Sequence, residues 1–196
     1  MNFKKLGVLL SVSTVVGMNV VATKALAQPA EPSIQFGKAI AAPGCVIADQ
    51  LVGEDGRTLS ILFDDFIAEN GQRKPCTIRV LTTIPSGFRV QNLQILYQGS
   101  TDVPAGSKPT SLSRSYTFTG GAIGIAKLPA KTSKFTSTQE LYQEQDEIAV
   151  ASASCGGEGQ FGVNMIAQSS KGSSIIVDTA DFNAGKVEIH FDLAGC

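Results

Sequence analysis

The chain predicts an all-β fold: an antiparallel β-sandwich of about nine or ten short strands, stapled by two disulfides. Three observations carry that prediction. Apolar residues recur with period two in one segment after another, and turn-forming residues separate the segments. No stretch sustains the 3.6-residue period of a long helix. Four cysteines are present, and all lie beyond a leader-like start.

The start reads as a signal peptide over residues 1–27. Lys4 and Lys5 form a basic head, Leu6 to Ala22 an apolar run, and Ala25-Leu26-Ala27 a small-x-small cleavage site. Ser11, Ser13, Thr14, Gly17 and Asn19 interrupt the apolar run, so no stable membrane span is expected after cleavage. No cysteine directly follows the cleavage site, so a lipid anchor is not indicated. Residues 28–196 then form a single β-sandwich domain with Gln28 as its new N-terminus. Its 169 residues (196 less 27) are enough to bury a real core. Three of the 16 basic residues leave with the leader while all 17 acidic ones stay, giving a formal charge of −4. A scattered, mildly acidic surface argues against nucleic acid as a partner.

The mature part opens with a loose arm from Gln28 to Ser33. Ile34 and Phe36 suggest a first strand, ending before Pro43-Gly44-Cys45. Val46 to Val52 and Arg57 to Phe66 flank Gly53-Glu54-Asp55-Gly56 and read as a hairpin, with Leu59, Ile61 and Phe63 on one face. A polar loop from Ala68 to Lys74 leads to the central stretch, Cys76 to Gly99. There Ile78, Val80, Thr82 and Ile84 alternate, and Pro85-Ser86-Gly87 makes a turn. The return strand has Phe88 and Val90 in one phase but Leu93, Ile95 and Tyr97 in the other. The stretch is read as a β-hairpin with a bulge near Gln91-Asn92.

Ser100 to Pro109 is expected to cross between sheets. Tyr116 and Phe118 share a face of the next strand, and Ile123, Ile125 and Leu128 suggest its continuation. Pro129 to Glu147 is polar, and Ser137 and Glu140 have capping-box spacing, so a short helix and an irregular loop both fit. Ile148 to Ser154 reads as a strand of small residues. Phe161, Val163 and Met165 mark another strand, and Ile175 and Val177 a further one. The last is the cleanest: Val187, Ile189, Phe191 and Leu193 face in, and Lys186, Glu188, His190 and Asp192 face out.

Cys45, Cys76, Cys155 and Cys196 allow three pairings. Cys45 with Cys76 and Cys155 with Cys196 is preferred because each closes a local loop. Either bridge is expected to contribute on the order of 3–4 kcal/mol in the loop-entropy model. A zinc site is not indicated: no cysteines are closely paired, and the single histidine, His190, lies outside any ligand motif.

The chain also resembles a known family. The order Gly44-Cys45, Thr58 to Phe66, Cys76 with alternating apolars, Pro85-Ser86-Gly87-Phe88, Tyr97-Gln98-Gly99, Tyr116-Thr117-Phe118, Cys155-Gly156 and a terminal Cys196 is similar to the domain-of-unknown-function family 4360. These are small exported proteins of bacteria and fungi, and the resemblance covers nearly all of the mature chain. Val46 stands where proline is common in the family, and no tryptophan precedes the last cysteine. The resemblance implies fold and export and no activity.

Among candidate sites, His190 is flanked on its face by Glu188 and Asp192, but no Gly-x-Ser-x-Gly elbow or serine partner accompanies it. It is read as a solvated surface residue. Asp64 and Asp65 are adjacent in a strand and so point to opposite faces. Glu54-Asp55-Gly56 is better explained by turn chemistry than by a calcium loop. Gly156-Gly157-Glu158-Gly159 lacks the lysine and helix of a phosphate cradle. Tyr97 and Tyr116 fall in core phase and Tyr142 stands alone in a polar loop, which speaks against an aromatic sugar platform. No catalytic, cofactor-binding or metal-binding residue is assigned, and no cofactor is expected.

The expected function is that of an exported, non-enzymatic binding or cell-envelope module. It would be secreted or periplasmic/extracellular, and its ligand an envelope or extracellular component. Two other classes compete. One is a small secreted hydrolase or lyase using surface carboxylates. The other is a protein-binding inhibitor or effector that protrudes a loop such as Pro129 to Glu147.

Overall fold

The computed structural model describes residues 31–121, 123–124, 129–151, 154–177 and 186–196. The signal-peptide reading therefore falls outside the described residues, as do Ile125 and Leu128. Among the described residues there are thirteen strands and no helix. They are β1 (Gln35–Phe36), β2 (Ile40–Ala41), β3 (Val46–Val52), β4 (Thr58–Asp65), β5 (Ile67–Glu69), β6 (Arg73–Ile84) and β7 (Phe88–Asp102). β8 (Thr110–Thr119), β9 (Lys131–Phe135), β10 (Gln139–Ala149), β11 (Gly157–Gln168), β12 (Ser174–Ile176) and β13 (Lys186–Gly195) follow. The count exceeds nine or ten because β1, β2, β5 and β12 are ladder pieces of two or three residues. Such pieces are too short to show alternation. No helix among the described residues is long and apolar enough to cross a membrane.

Two antiparallel sheets stack as a sandwich. The first runs β6-β11-β8-β9, with β1 and β2 both pairing the free side of β6. The second runs β3-β4-β13-β7, with β10 on the far side of β7 and β12 and β5 extending the β13 side. The inward residues anticipated from period two form the shared core: Leu59, Ile61, Phe63, Ile78, Val80, Leu93, Ile95, Val163, Val187 and Ile189 are all buried. Aromatic rings cross the layer boundary, with Phe161 of β11 edge-on to Phe191 of β13 at 6.0 Å.

The turn at Gly53-Glu54-Asp55-Gly56 joins the β3–β4 hairpin as expected. The bulge is present too. Asp192 pairs Asn92 while Leu193 pairs Val90, so Gln91 is the extra residue that lets both hydrophobic phases of β7 face inward.

The central stretch is not a hairpin. β6 lies in the first sheet and β7 in the second, so Pro85-Ser86-Gly87 is a corner at which the chain changes sheets. Backbone N–H groups of Gly156 and Cys196 hold the corner, donating to the carbonyls of Phe88 (2.7 Å) and Gly87 (3.0 Å). Residues 129–147 also differ from expectation, being neither a helix nor an irregular loop. β9 is the edge strand of the first sheet and β10 the edge strand of the second, and the short link between them wraps one side of the sandwich. Ile148, expected to open a strand of small residues, is instead near the end of β10.

Candidate functional site

The outward face of the second sheet gathers polar side chains from four adjacent strands. Thr58 and Ser60 come from β4, Glu188, His190 and Asp192 from β13, Asn92 and Gln94 from β7, and Gln145 from β10. The pleat requires this placement, because residues alternating with a buried apolar set must point outward. The bulge at Gln91 matters here. It moves Asn92 and Gln94 onto the same outward face as their β13 neighbours, opposite Asp192 and His190.

His190 sits among acceptors on this shelf. Its Nδ1 is 2.8 Å from the Thr58 hydroxyl and 3.3 Å from Asp55 Oδ2, and its Nε2 is 3.2 Å from Asp192 Oδ1. Asp55 is fixed by its turn, accepting the N–H groups of Arg57 (2.9 Å) and Thr58 (3.0 Å) and the Thr58 hydroxyl (2.7 Å). Burial pushes the Asp55 carboxyl up, but those hydrogen bonds and the nearby imidazole outweigh it and hold the group below its usual range. The Thr58 hydroxyl donates to Asp55, and its contact with the imidazole Nδ1 takes its direction from the tautomer of His190. Nucleophile activation would require the Thr58 proton to pass to the imidazole and not to Asp55. Lys186 pairs Glu188 at 2.6 Å, and a shallow groove lies among Gln94, Leu96, Gln145, Glu188 and His190.

A second polar group lies inside the sandwich, at the β9–β10 edge. Arg114 of β8 and Asp146 of β10 are 3% and 1% exposed, and they join through Nε to Oδ2 at 2.9 Å and Nη2 to Oδ1 at 3.3 Å. Tyr97 donates to Tyr116 at 2.8 Å, and Tyr116 donates in turn to Asp146. Lys131 reaches Asp146 from outside at 3.2 Å. Arg114 also donates to Ser133, which donates to Glu144 at 2.6 Å. The Arg114 guanidinium lies 5.0 Å from the Tyr97 ring centre. Burial alone would raise the Asp146 carboxyl, but hydrogen bonds from Arg114 and Tyr116, the Arg114 charge and Lys131 leave it below the usual carboxylate range. Burial pushes the Tyr97 and Tyr116 hydroxyls well up, so both remain protonated donors. The network is internally satisfied and structural.

Sequence reading missed this network. Arg114 shares the inward phase of Thr110, Leu112 and Tyr116, and Asp146 that of Tyr142 and Ile148. A charge in core phase on each of two segments was the available signal. Tyr142 needs correction: it is 2% exposed, its ring 4.6 Å from Phe135 and its hydroxyl donating to the Ile176 carbonyl. Asp64 and Asp65 do not converge, and Asp65 pairs Lys74 at 2.6 Å. Gly156 and Gly157 take positive φ in a connection beside a disulfide.

The cysteines pair as Cys45–Cys76 and Cys155–Cys196. Each bond spans the layers. Cys45 precedes β3 of the second sheet and Cys76 is on β6 of the first; Cys155 precedes β11 of the first and Cys196 follows β13 of the second.

Fold and site together define a doubly disulfide-bridged β-sandwich with one polar, amide-rich outer shelf. The chain belongs to the family described as Domain of unknown function (DUF4360), whose model matches residues 43–196. No curated protein matches the chain. Among solved structures it is similar to the enzymatically active domain of bacteriophage CBA120 tailspike protein 4, at 9% identity and a TM-score of 0.22. That likeness covers 84% of this chain and 19% of the tailspike chain, and at such a score it carries no argument.

Proposed function

We propose that this chain is an exported, non-enzymatic binding module of the cell envelope or its surroundings, taking its ligand on the outer shelf of β4, β13, β7 and β10. The shelf is the observation that carries the reading. Gln94 and Gln145 stand with Glu188 and His190 around a groove, with Asn92 and Asp192 next to them on the shelf, on strands packed against the core and tied by the bridges. A preorganised surface loses little entropy when it binds. Export is supported by the basic and apolar start, by Ala25-Leu26-Ala27, and by two bridges of a kind that persists in oxidising compartments. The hydrogen bond from the Thr58 hydroxyl to Asp55 Oδ2, which occupies that hydroxyl away from the imidazole, supports binding over hydrolysis.

The test uses the natively processed protein. Association with envelope material should be lost in Gln94→Arg/Gln145→Arg, and a broad hydrolase panel should show no turnover. Robust turnover that disappears in His190→Ala would overturn the reading in favour of the hydrolase.

A further inference from the structure

We propose that the groove between β7, β10 and β13 seats one ring of a neutral carbohydrate chain, a reading that rests on the binding-module assignment above. The groove holds about 180 Å³. Enclosed sites for drug-sized molecules run to roughly 300–1,000 Å³, so this one suits a single ring of a longer chain lying along the sheet.

The hydrogen bonds made by the side-chain amides of the shelf are long. Gln145 Nε2 is 3.4 Å from Gln94 Oε1, Gln94 Nε2 is 3.4 Å from Asp192 Oδ2, and Asn92 Nδ2 is 3.5 Å from the same oxygen. Well-made N–H···O bonds cluster at about 2.9–3.0 Å, so these amides are weakly engaged with each other. A hydroxyl both donates and accepts, and a sugar ring presents adjacent hydroxyls that planar amides and carboxylates can bind in pairs.

Charge selects against anions, and Lys186 covers the carboxylate that lines the groove. Glu188 is matched by Lys186 at 2.6 Å, and His190 lies between Asp55 and Asp192. An anion would face the Glu188 carboxylate with Asp192 beside the groove, and a cation at Glu188 would have to displace Lys186. The complement is an uncharged, polyhydroxylated ligand. Leu96 in the lining offers an apolar surface for the ring's C–H face. Tyr97, Tyr116 and Tyr142 are all buried, so the sugar is held edge-on by hydrogen bonds without stacking. Affinity for one ring should then be weak, with Kd on the order of 1 mM.

Isotope-labelled protein tests this through the side-chain amide NMR signals of Asn92, Gln94 and Gln145. Cellohexaose, maltohexaose and chitohexaose are added separately, with spermidine and inorganic phosphate as charged controls. The proposal expects at least one hexasaccharide to shift these amides saturably. Gln94→Ala/Gln145→Ala should weaken that binding by about five-fold or more, the loss expected from one hydrogen bond, with the melting temperature unchanged. Shifts caused only by spermidine or phosphate would overturn the ligand class while leaving the shelf as a binding site. Shelf signals that move with none of the five probes would overturn the ligand class and the shelf reading together.

Discussion

Arg114 Nε lies 2.9 Å from Asp146 Oδ2, and that bond runs from one sheet to the other at the β9–β10 edge. At the opposite edge, where β3 faces β1 and β2, Cys45 and Cys76 make the corresponding link covalently. At the corner between β6 and β7, Cys155–Cys196 makes a third. The layers are thus tied at both sides and at one corner.

Asp146→Ala should be costly, because it leaves the buried Arg114 charge with only the more exposed Glu144 carboxylate, 3.8 Å away. Urea unfolding at pH 7 should show a loss of about 3–5 kcal/mol. Arg114→Met/Asp146→Leu, which removes both charges, should recover most of it. A single substitution costing under about 1 kcal/mol would mean the pair behaves as a surface one.

Acid should weaken the fold through the same carboxylate. The Asp146 group in the folded state is held below its ordinary value of 3.8. A depressed folded value gives stability that is complete above the unfolded value and lost as pH falls through the folded one. Urea midpoints of the wild type should therefore drop as pH is lowered through 3.8 and below. The gap between wild type and Asp146→Asn should narrow over that window; a constant gap would contradict the assignment.

Gly99 has a close-packing role. A Cβ there would lie 2.0 Å from the Ile176 carbonyl oxygen and 2.6 Å from the Tyr142 hydroxyl. Gly99→Ala must push β12 away from β7 and should cost about 1–3 kcal/mol, as overpacking does. Gly195→Ala, where nothing lies within 4 Å, should stay within about 0.5 kcal/mol. Thermal melts of the two variants check the contrast.

Removing either bridge as a pair, Cys45→Ser/Cys76→Ser or Cys155→Ser/Cys196→Ser, should lower stability by about 3–4 kcal/mol in the loop-entropy account. The loops closed are of similar size, with separations of 31 and 41 residues, so the two losses should be close to one another. Equilibrium unfolding under oxidising conditions measures both.

Much of this architecture is legible in the residues themselves. The reversal of phase between Val90 and Leu93 located the bulge, and the β3–β4 turn followed from Gly53-Glu54-Asp55-Gly56. Pro85-Ser86-Gly87 misled because a turn signal says only that the chain reverses, not whether the next strand pairs its predecessor or joins the facing sheet. β10 was missed for another reason. Its inward phase reads Tyr142, Glu144, Asp146, Ile148, so two charges interrupt the apolar repeat that marks a strand. Those charges become intelligible only once Arg114, Lys131 and Ser133 are brought opposite them. The shelf required the sheet order as well, since its residues come from distant segments.

Peptide mapping by mass spectrometry, without reduction, of the protein recovered from outside the cytoplasm of its own host is the most direct test. The account predicts a chain beginning at Gln28 that carries Cys45–Cys76 and Cys155–Cys196 cross-linked peptides. Four free thiols, crossed pairs, or retention of the first 27 residues would contradict it.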